Sequence, residues 1–365
     1  MLNAYADISG DIGYAIHARG FFTALNQLHP VCLIPKYGLS GAQQQDQTLL
    51  PMLERLLDID LHAPAIALDY PHEMYRFGGK TRIGFTVFET TRLIPAAIHQ
   101  LRQLDQVWVP TQWGRQILMN HGLAADLIRV VPEGIDPLCF HPKVAPHPQI
   151  CALDGFRFLT VGKWEARKGM VELLRAFDDA FTTTDRVFLI VHSAVKVQAL
   201  QSVNVHDEIG KLGLQHPEKI VIIETPLTTP HDMARLYTAC DAYVSAAKAE
   251  GWGLPLLEAM ACGLPVIAPN YSGPSEFLSA DCAYPIPVTA HDSIFCPIFF
   301  PEPGAHGTWA HIDHEALVEK LRHVYTNRDA AKAIGATAAQ QTHARWTWNH
   351  AAQKAMTHLQ ELSCI

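Results

Sequence analysis

The sequence predicts an α/β protein built from two doubly wound domains that face each other across a cleft. Short apolar segments alternate with helical segments in both halves of the chain, and this alternation is typical of parallel sheets covered by helices. The 365 residues suit two domains of ordinary size, and a hydrophobic content of 48% is enough for two cores. We place Rossmann-like domains at residues 1–145 and 150–340, followed by a C-terminal segment at residues 341–365.

The overall composition excludes some classes of binding partner and some cellular locations. A formal charge of −8 and an isoelectric point near 6.2 argue against a nucleic-acid partner or a strongly anionic membrane. The chain has no apolar run of about 18 residues and no basic-then-apolar leader, so we expect a soluble protein without an export signal. Eight scattered cysteines without a Cys-x-x-Cys pair predict reduced thiols, and the histidines show no metal-ligand spacing.

The first domain opens with a strand at residues 2–8, a turn that contains Gly13, and a helix at about residues 15–28. A strand, a glycine turn and a helix start can hold a phosphate group. The glycines do not complete a G-x-G-x-x-G pattern, so a purely structural turn is an alternative. Further strands are predicted at residues 31–35, 65–68 and 128–132.

A polar loop follows the strand that begins at Arg82, and it contains Glu89 and Thr90. Ligands bind at the carboxyl ends of strands in open parallel sheets, so this loop is a candidate for substrate contact. The alternative is that Glu89 or Thr90 only caps a helix.

The second domain restarts with a strand at residues 156–161, a loop that contains Lys163 and Lys168, and a helix at residues 170–181. Two basic residues at a strand-to-helix turn can both reach an anion held at the helix N-terminus. A solvated surface turn is the alternative. Strands at residues 187–192, 220–224 and 242–245 follow.

The segment at residues 249–268 carries the most agreeing signals in the chain. It reads as a loop with Gly251 and Gly253, a short helix, and a strand at residues 264–268. The glycines let backbone N–H groups approach a ligand closely, and the helix start adds partial positive charge. Glu250 and Glu258 lie eight positions apart, so one can face a reacting sugar while the other reaches a neighbouring polyol. The alternative is a plain corner of an α/β enzyme with Glu258 solvated.

This segment, E-G-W-G-L-P-L-L-E-A-M-A-C-G-L-P-V-I-A, resembles the Glu-x7-Glu signature of retaining nucleotide-sugar glycosyltransferases of family 4, which have the GT-B fold. The resemblance implies that Glu250 contacts the donor sugar and Glu258 the ribose hydroxyls. It also implies donor contacts at Gly251, Gly253 and Leu254.

Other segments resemble the same family. G-K-W-E-A-R-K-G is similar to the family's diphosphate clamp, with Lys163 in an arginine's place and Lys168 in the lysine's place. Gly13 matches a glycine that lies near the donor's phosphates. The resemblance further implies that the helix at residues 341–365 crosses back to the first domain.

Two positions depart from the family pattern. The loop after the strand at Arg82 lacks the histidine that many members place there, and we assign Glu89 as its substitute, with Thr90 beside it. Glu133 replaces an asparagine in the segment V-P-E-G-I-D.

The resemblance implies a metal-independent hexosyltransferase that moves a hexose with retention from a nucleotide diphosphate sugar to an acceptor hydroxyl. The acceptor would be a glycan or a lipid-linked molecule, in glycan, polysaccharide or glycolipid assembly, and acceptor choice would depend on loops at residues 38–47 and 77–80. We expect no cofactor, no metal and no nucleic acid. A cytoplasmic location is expected, and peripheral contact with the inner face of the membrane stays open.

Three alternatives remain at this point. One is a different transferase or an epimerase on the same fold, and the epimerase would interconvert the nucleotide sugar without an acceptor. Another is a non-catalytic subunit that would bind a nucleotide sugar without turnover. A nicotinamide-dependent dehydrogenase would need the fingerprint loop that is incomplete here and would leave the paired glutamates without a purpose.

Overall fold

The computed structural model describes residues 1–10, 12–38, 46–193, 198–227 and 229–364. Most of the predicted acceptor loop at residues 38–47 therefore lies outside the described residues. The chain divides into two compact units. The first comprises Met1–Asp136 together with Arg345–Ile365, and the second comprises Pro137–Ala344.

The first unit contains a six-stranded parallel sheet in the order β2-β1-β3-β4-β5-β6. Its inner strands are buried on both faces, which explains why segments such as Ala-Ile-Ala-Leu read as continuous apolar runs. The strands are β1 Leu2–Ala6, β2 Val31–Pro35, β3 Ala65–Leu68, β4 Arg82–Phe85, β5 Gln106–Val109 and β6 Ile128–Val130. The α-helices described in this unit are Gly13–Leu28, Leu50–Glu54, Pro95–Leu101, Gln112–Asn120 and Trp348–Glu361.

The C-terminal helix packs on the first helix of this unit. Thr347 caps it by accepting a hydrogen bond from the backbone N–H of His350, and Ile135 exchanges backbone hydrogen bonds with Trp346 and Trp348. The Trp348 ring stacks on His17 and occupies the space that a side chain at position 20 would need. Gly20 is therefore required by close packing against the Trp348 ring.

The second unit contains another six-stranded parallel sheet, in the order β12-β11-β10-β7-β8-β9. The strands are β7 Phe156–Val161, β8 Val187–His192, β9 Ile220–Ile223, β10 Ala242–Val244, β11 Val266–Pro269 and β12 Tyr284–Ile286. The α-helices described are Pro148–Cys151, Met170–Ala180, Val205–Gly210, Pro230–Thr238, Leu254–Ala261, His314–Thr326 and Arg328–Arg345. The two parallel sheets with their helices confirm the predicted α/β, doubly wound class.

Residues 285–308 are rich in proline, phenylalanine and glycine, which predicts a long irregular insertion, and the structure of this region differs from that prediction. It contains a two-stranded antiparallel sheet formed by β13 His291–Ser293 and β14 Thr308–Ala310. Its core consists of Ile294, Cys296 and Trp309, which pack against Ala249. The many Pro, Phe and Gly residues concealed this hairpin because its strands are short and lie far apart in sequence.

No helix within the described residues is both long and apolar enough to cross a bilayer.

Candidate functional site

The candidate site lies where the strand order of the second sheet reverses. From β7 the chain builds outwards through β8 and β9 on one side, and then returns to build β10, β11 and β12 on the other. The loops that follow β7 and β10 therefore emerge next to each other at the carboxyl edge of the sheet. This switch point is where open α/β sheets bind their ligands.

The loop after β7 reaches the loop after β10 through a glycine. Gly169 has a left-handed φ of 61°, and a Cβ at this position would collide with the carbonyl oxygen of Ala246. Only glycine satisfies both conditions. The backbone N–H of Lys248 donates to the carbonyl of Arg167 at 2.7 Å, so the two loops are also joined by a hydrogen bond.

The backbone of Glu250 is fixed at both ends. Its N–H donates to Ser272 Oγ at 2.9 Å, and its carbonyl accepts the N–H of Gly273 at 2.9 Å. A side chain at position 273 would collide with the backbone of Trp252, so a glycine is needed here as well. This loop holds the Glu250 carboxylate in one place, as a binding site requires.

Five charged side chains form one connected network around Glu250. Its Oε1 accepts a hydrogen bond from Lys168 Nζ at 2.5 Å, and its Oε2 accepts one from Arg167 Nη1 at 2.9 Å. Arg167 Nη2 also donates to Glu165 Oε1 at 2.7 Å, and Lys163 Nζ lies 3.7 Å from Glu165 Oε2. Three cations and two carboxylates give the network a net charge of +1 at neutral pH.

The charge state of Glu250 follows from these contacts. Burial raises the pKa of this carboxyl, but the ammonium of Lys168 and the guanidinium of Arg167 outweigh burial and hold the pKa below its usual value. Glu250 is 7% exposed and ionised at neutral pH. The network is therefore a preorganised set of charges that can bind an anion beside a carboxylate.

Glu258 has a different environment from Glu250. It lies on the helix Leu254–Ala261, buried, and accepts a hydrogen bond from the hydroxyl of Tyr237 at 2.8 Å. Burial raises the pKa of Glu258 to about 7 in spite of this hydrogen bond. The carboxyl can therefore change its protonation state near neutral pH.

The glycine-containing loop that carries Glu250 leads directly into the start of this helix. Gly253 has a φ of 104° and precedes the helix, which begins at Leu254. Pro255, a residue type that sequence patterns favour as the first of a helix, is the second residue of this one. Gly251, Gly253 and Leu254 are buried next to Glu250. Their arrangement presents a helix N-terminus at the same edge of the sheet as the charge network.

The three candidates of the first domain belong to the other unit. Gly13 begins the helix Gly13–Leu28 and is exposed, and a Cβ there would meet no atom within 4 Å. Glu89 and Thr90 follow β4, with Glu89 half-buried and Thr90 buried. Burial, together with the charges of Glu89 and Asp69, raises the pKa of the Tyr70 hydroxyl.

The structure thus brings Lys163, Lys168 and Glu250 into one network, whereas Glu258 contacts Tyr237. Sequence reasoning missed Arg167 and Glu165, which connect the network. The alternation of charges in Lys163-Trp-Glu165-Ala-Arg167 was the only available signal. Within the described residues, no group of three or more histidine, cysteine, aspartate or glutamate side chains is arranged to hold a metal ion.

Comparison with known proteins identifies the family. The model of the family "Glycosyl transferases group 1" matches residues 151–341, more than half of the chain, and this range contains the whole charge network. The chain belongs to the group 1 glycosyltransferases. This match confirms the predicted membership of a glycosyltransferase family.

Curated relatives of this group 1 glycosyltransferase match over part of their length. A putative glycosyltransferase 45 of Sulfolobus islandicus filamentous virus is 25% identical over 60% of this chain and 59% of the relative. The alpha-monoglucosyldiacylglycerol synthase of Streptococcus pneumoniae is 28% identical over 46% of this chain and 38% of the relative. A D-inositol 3-phosphate glycosyltransferase of Paenarthrobacter aurescens is 26% identical over 45% of this chain and 40% of the relative. The chain therefore spans between about two fifths and three fifths of the length of these relatives.

Solved structures share the fold. Sucrose-phosphate synthase from Thermosynechococcus elongatus matches with a TM-score of 0.71 and 14% identity, over 99% of this chain and 98% of that one. Anabaena Alr3699/HepE, in complex with UDP and glucose, matches with a TM-score of 0.69 and 14% identity, over 98% and 99%. This group 1 glycosyltransferase therefore has the GT-B fold.

Proposed function

We propose that this protein is a retaining glycosyltransferase of family 4 that moves a hexose from a nucleotide diphosphate sugar to an acceptor hydroxyl. The observation that carries the proposal is the charge network of Lys163, Glu165, Arg167, Lys168 and Glu250 at the switch point of the second sheet. It sets two lysines and a carboxylate beside the start of a helix, which suits a sugar joined to a diphosphate.

In this proposal the two lysines bind the diphosphate of the donor. Lys163 and Lys168 contribute charge-assisted hydrogen bonds, each worth about 1.5–3 kcal/mol. Arg167 keeps Glu250 ionised and fixed while Lys168 turns from Glu250 towards the phosphate. The backbone at Gly251, Gly253 and Leu254 adds N–H groups at the helix N-terminus.

The two glutamates have separate roles in the proposal. Glu250 accepts hydrogen bonds from the donor sugar, and Glu258 accepts them from the ribose hydroxyls. Two hydroxyl donors favour the ionised form of a carboxylate, so ribose binding lowers the pKa of Glu258 from about 7. In the first unit we assign ligand contacts to Gly13, Glu89 and Thr90, each of which follows a strand at the carboxyl edge of its sheet.

In the reaction, the bond from the anomeric carbon to the diphosphate oxygen breaks, and a bond from the same carbon to the acceptor oxygen forms on the same face. Negative charge develops on the leaving diphosphate, and Lys163 and Lys168 stabilise it. The acceptor proton can pass to the leaving phosphate oxygen without a protein base. The proposal includes no metal and no cofactor.

Similar proteins support the classes of donor and acceptor. Anabaena Alr3699/HepE was crystallised with UDP and glucose, and S. aureus TarM was crystallised with UDP and alpha-GlcNAc-glycerol. We propose a nucleotide diphosphate hexose as donor and a glycan or lipid-linked acceptor, in glycan, polysaccharide or glycolipid assembly. The proposed location is cytoplasmic, with peripheral contact at the inner face of the membrane where the acceptor is lipid-linked.

A transfer assay tests this function. The protein is incubated with UDP-, GDP- and ADP-hexoses and a panel of sugar and glycolipid acceptors, and NMR records the anomeric configuration of the product. We expect release of one nucleoside diphosphate and a product with the donor's configuration. Inverted product would contradict retention. Donor binding without turnover would instead indicate a binding subunit, and a changed donor without acceptor would indicate an epimerase.

A further inference from the structure

The hairpin formed by β13 and β14 carries a tight turn between its strands. Cys296 and Phe300 exchange two backbone hydrogen bonds of 2.9 and 2.8 Å, so the residues between them form the tip. Ile298 at this tip is 46% exposed, whereas Phe299 is half-buried. The tip is therefore apolar, with only one of its large side chains turned against the protein.

The hairpin is attached to the loop that carries Glu250. The backbone N–H of Ala310, the last residue of β14, donates to the carbonyl of Lys248 at 3.0 Å. Trp309 and Ile294 are buried against Ala249, the residue before Glu250. These contacts fix the position of the hairpin relative to the charge network.

Phe299 is the residue of the hairpin that meets the network. Lys163 Nζ lies 5.8 Å from the centroid of the Phe299 ring and 3.7 Å from Glu165 Oε2. The face of an aromatic ring attracts a cation at this distance. The lysine ammonium, at the end of a flexible four-carbon stem, is thus held from two sides.

We propose that Phe299 is a positioning residue that holds the Lys163 ammonium ready for the donor's diphosphate, and that the β13–β14 hairpin is a structural part of the donor site. The inference rests on the proposed function, because it acts through the diphosphate contact of Lys163. A lysine that is already restrained loses less side-chain freedom when it binds its ligand. The ring therefore increases donor affinity without contacting the nucleotide.

A double-mutant cycle tests this role. Calorimetry measures the binding of UDP, GDP and ADP to the wild type, Phe299→Leu, Lys163→Met and the double variant. We expect Phe299→Leu to weaken binding about two- to fivefold, as the loss of an exposed cation–π contact predicts, and Phe299→Trp to keep wild-type affinity. In the Lys163→Met background, Phe299→Leu should have no further effect. Phe295→Leu is the matched control, since Phe295 lies in the same hairpin and is exposed.

The outcomes separate the two proposals. Wild-type protein that binds none of the three nucleotides would overturn the proposed function and this inference with it. Wild-type binding that Lys163→Met weakens but Phe299→Leu leaves unchanged would overturn only the role of Phe299. Equal losses from Phe299→Leu in both backgrounds would show that the ring acts through the packing of the hairpin and not through Lys163, which also overturns it. Thermal unfolding of each variant accompanies the titrations and identifies any loss of folded protein.

Discussion

Lys168 Nζ lies 2.5 Å from Glu250 Oε1, although the two residues are 82 positions apart in the chain. The contact joins the loop after β7 to the loop after β10, and Arg167 occupies the other oxygen of the same carboxylate. A carboxylate with two cations and a helix start beside it is the feature from which the proposed chemistry follows.

Lys168→Met should reduce turnover strongly. Removal of one preorganised cation from a developing diphosphate charge lowers kcat by about 10²–10³. Release of nucleoside diphosphate measures the effect, with Lys332→Met as control because Lys332 is exposed on the helix Arg328–Arg345. An unchanged kcat in Lys168→Met would remove this role from the mechanism.

Arg167→Leu should lower the stability of the protein. Arg167 is 8% exposed and donates to Ala249, Glu250 and Glu165, so its removal weakens the pairing of two buried carboxylates. The expected loss in the free energy of unfolding is about 3 kcal/mol, measured by urea denaturation. Arg175→Leu, an exposed position on the following helix, should change it by less than about 0.5 kcal/mol. Equal stability of the two variants would show that the network contributes nothing to the fold.

Gly169→Ala should be more damaging than Gly213→Ala. Both glycines have a left-handed φ, 61° and 63°, so both substitutions carry backbone strain of about 1–2 kcal/mol. Only at position 169 does the added Cβ also collide with the carbonyl of Ala246, while the space at position 213 is open. The midpoint temperature of thermal unfolding and the affinity for the donor nucleotide should both be lower in Gly169→Ala than in Gly213→Ala. The same loss in both variants would show that backbone strain alone requires the glycine.

Glu258 should make stability depend on pH near neutrality. Burial raises the pKa of its carboxyl from 4.5 to about 7, so folding favours the protonated form. This contribution is complete below the unfolded-state pKa and is lost as pH rises through about 7. The free energy of unfolding should therefore fall by about 3 kcal/mol between pH 4.5 and 8. Urea denaturation across this range should show the decline in the wild type and a flatter profile in Glu258→Gln. Identical profiles would contradict the raised pKa.

Local patterns explain why part of the site was predictable. The glycines around Glu250 and the turn into the helix Leu254–Ala261 depend on neighbours within a few positions, and such signals are readable in sequence. The parallel sheets followed from apolar runs separated by helices. In contrast, the pairing of Arg167 with Glu250 depends on the return of the chain after 83 positions, and no local spacing indicates it.

The environment of Glu258 and the β13–β14 hairpin were unpredictable for similar reasons. The raised pKa of Glu258 results from burial, and the hydrogen bond that opposes this rise comes from Tyr237, 21 positions away. In the hairpin, two strands of three residues each pair across a segment rich in proline and glycine. Strands this short show too little alternation of polar and apolar residues to be detected in the sequence. The contact between Phe299 and Lys163 joins this hairpin to the loop after β7, far away in the chain, so no local spacing indicates it.

Calorimetric titration of the wild type and the double variant Lys163→Met/Lys168→Met with UDP, GDP and ADP decides whether the charge network binds a diphosphate. We expect the wild type to bind at least one of the three nucleotides. Loss of two charge-assisted contacts in the double variant should raise the Kd at least about a hundredfold. An unchanged Kd in a folded double variant would contradict a diphosphate site at this network.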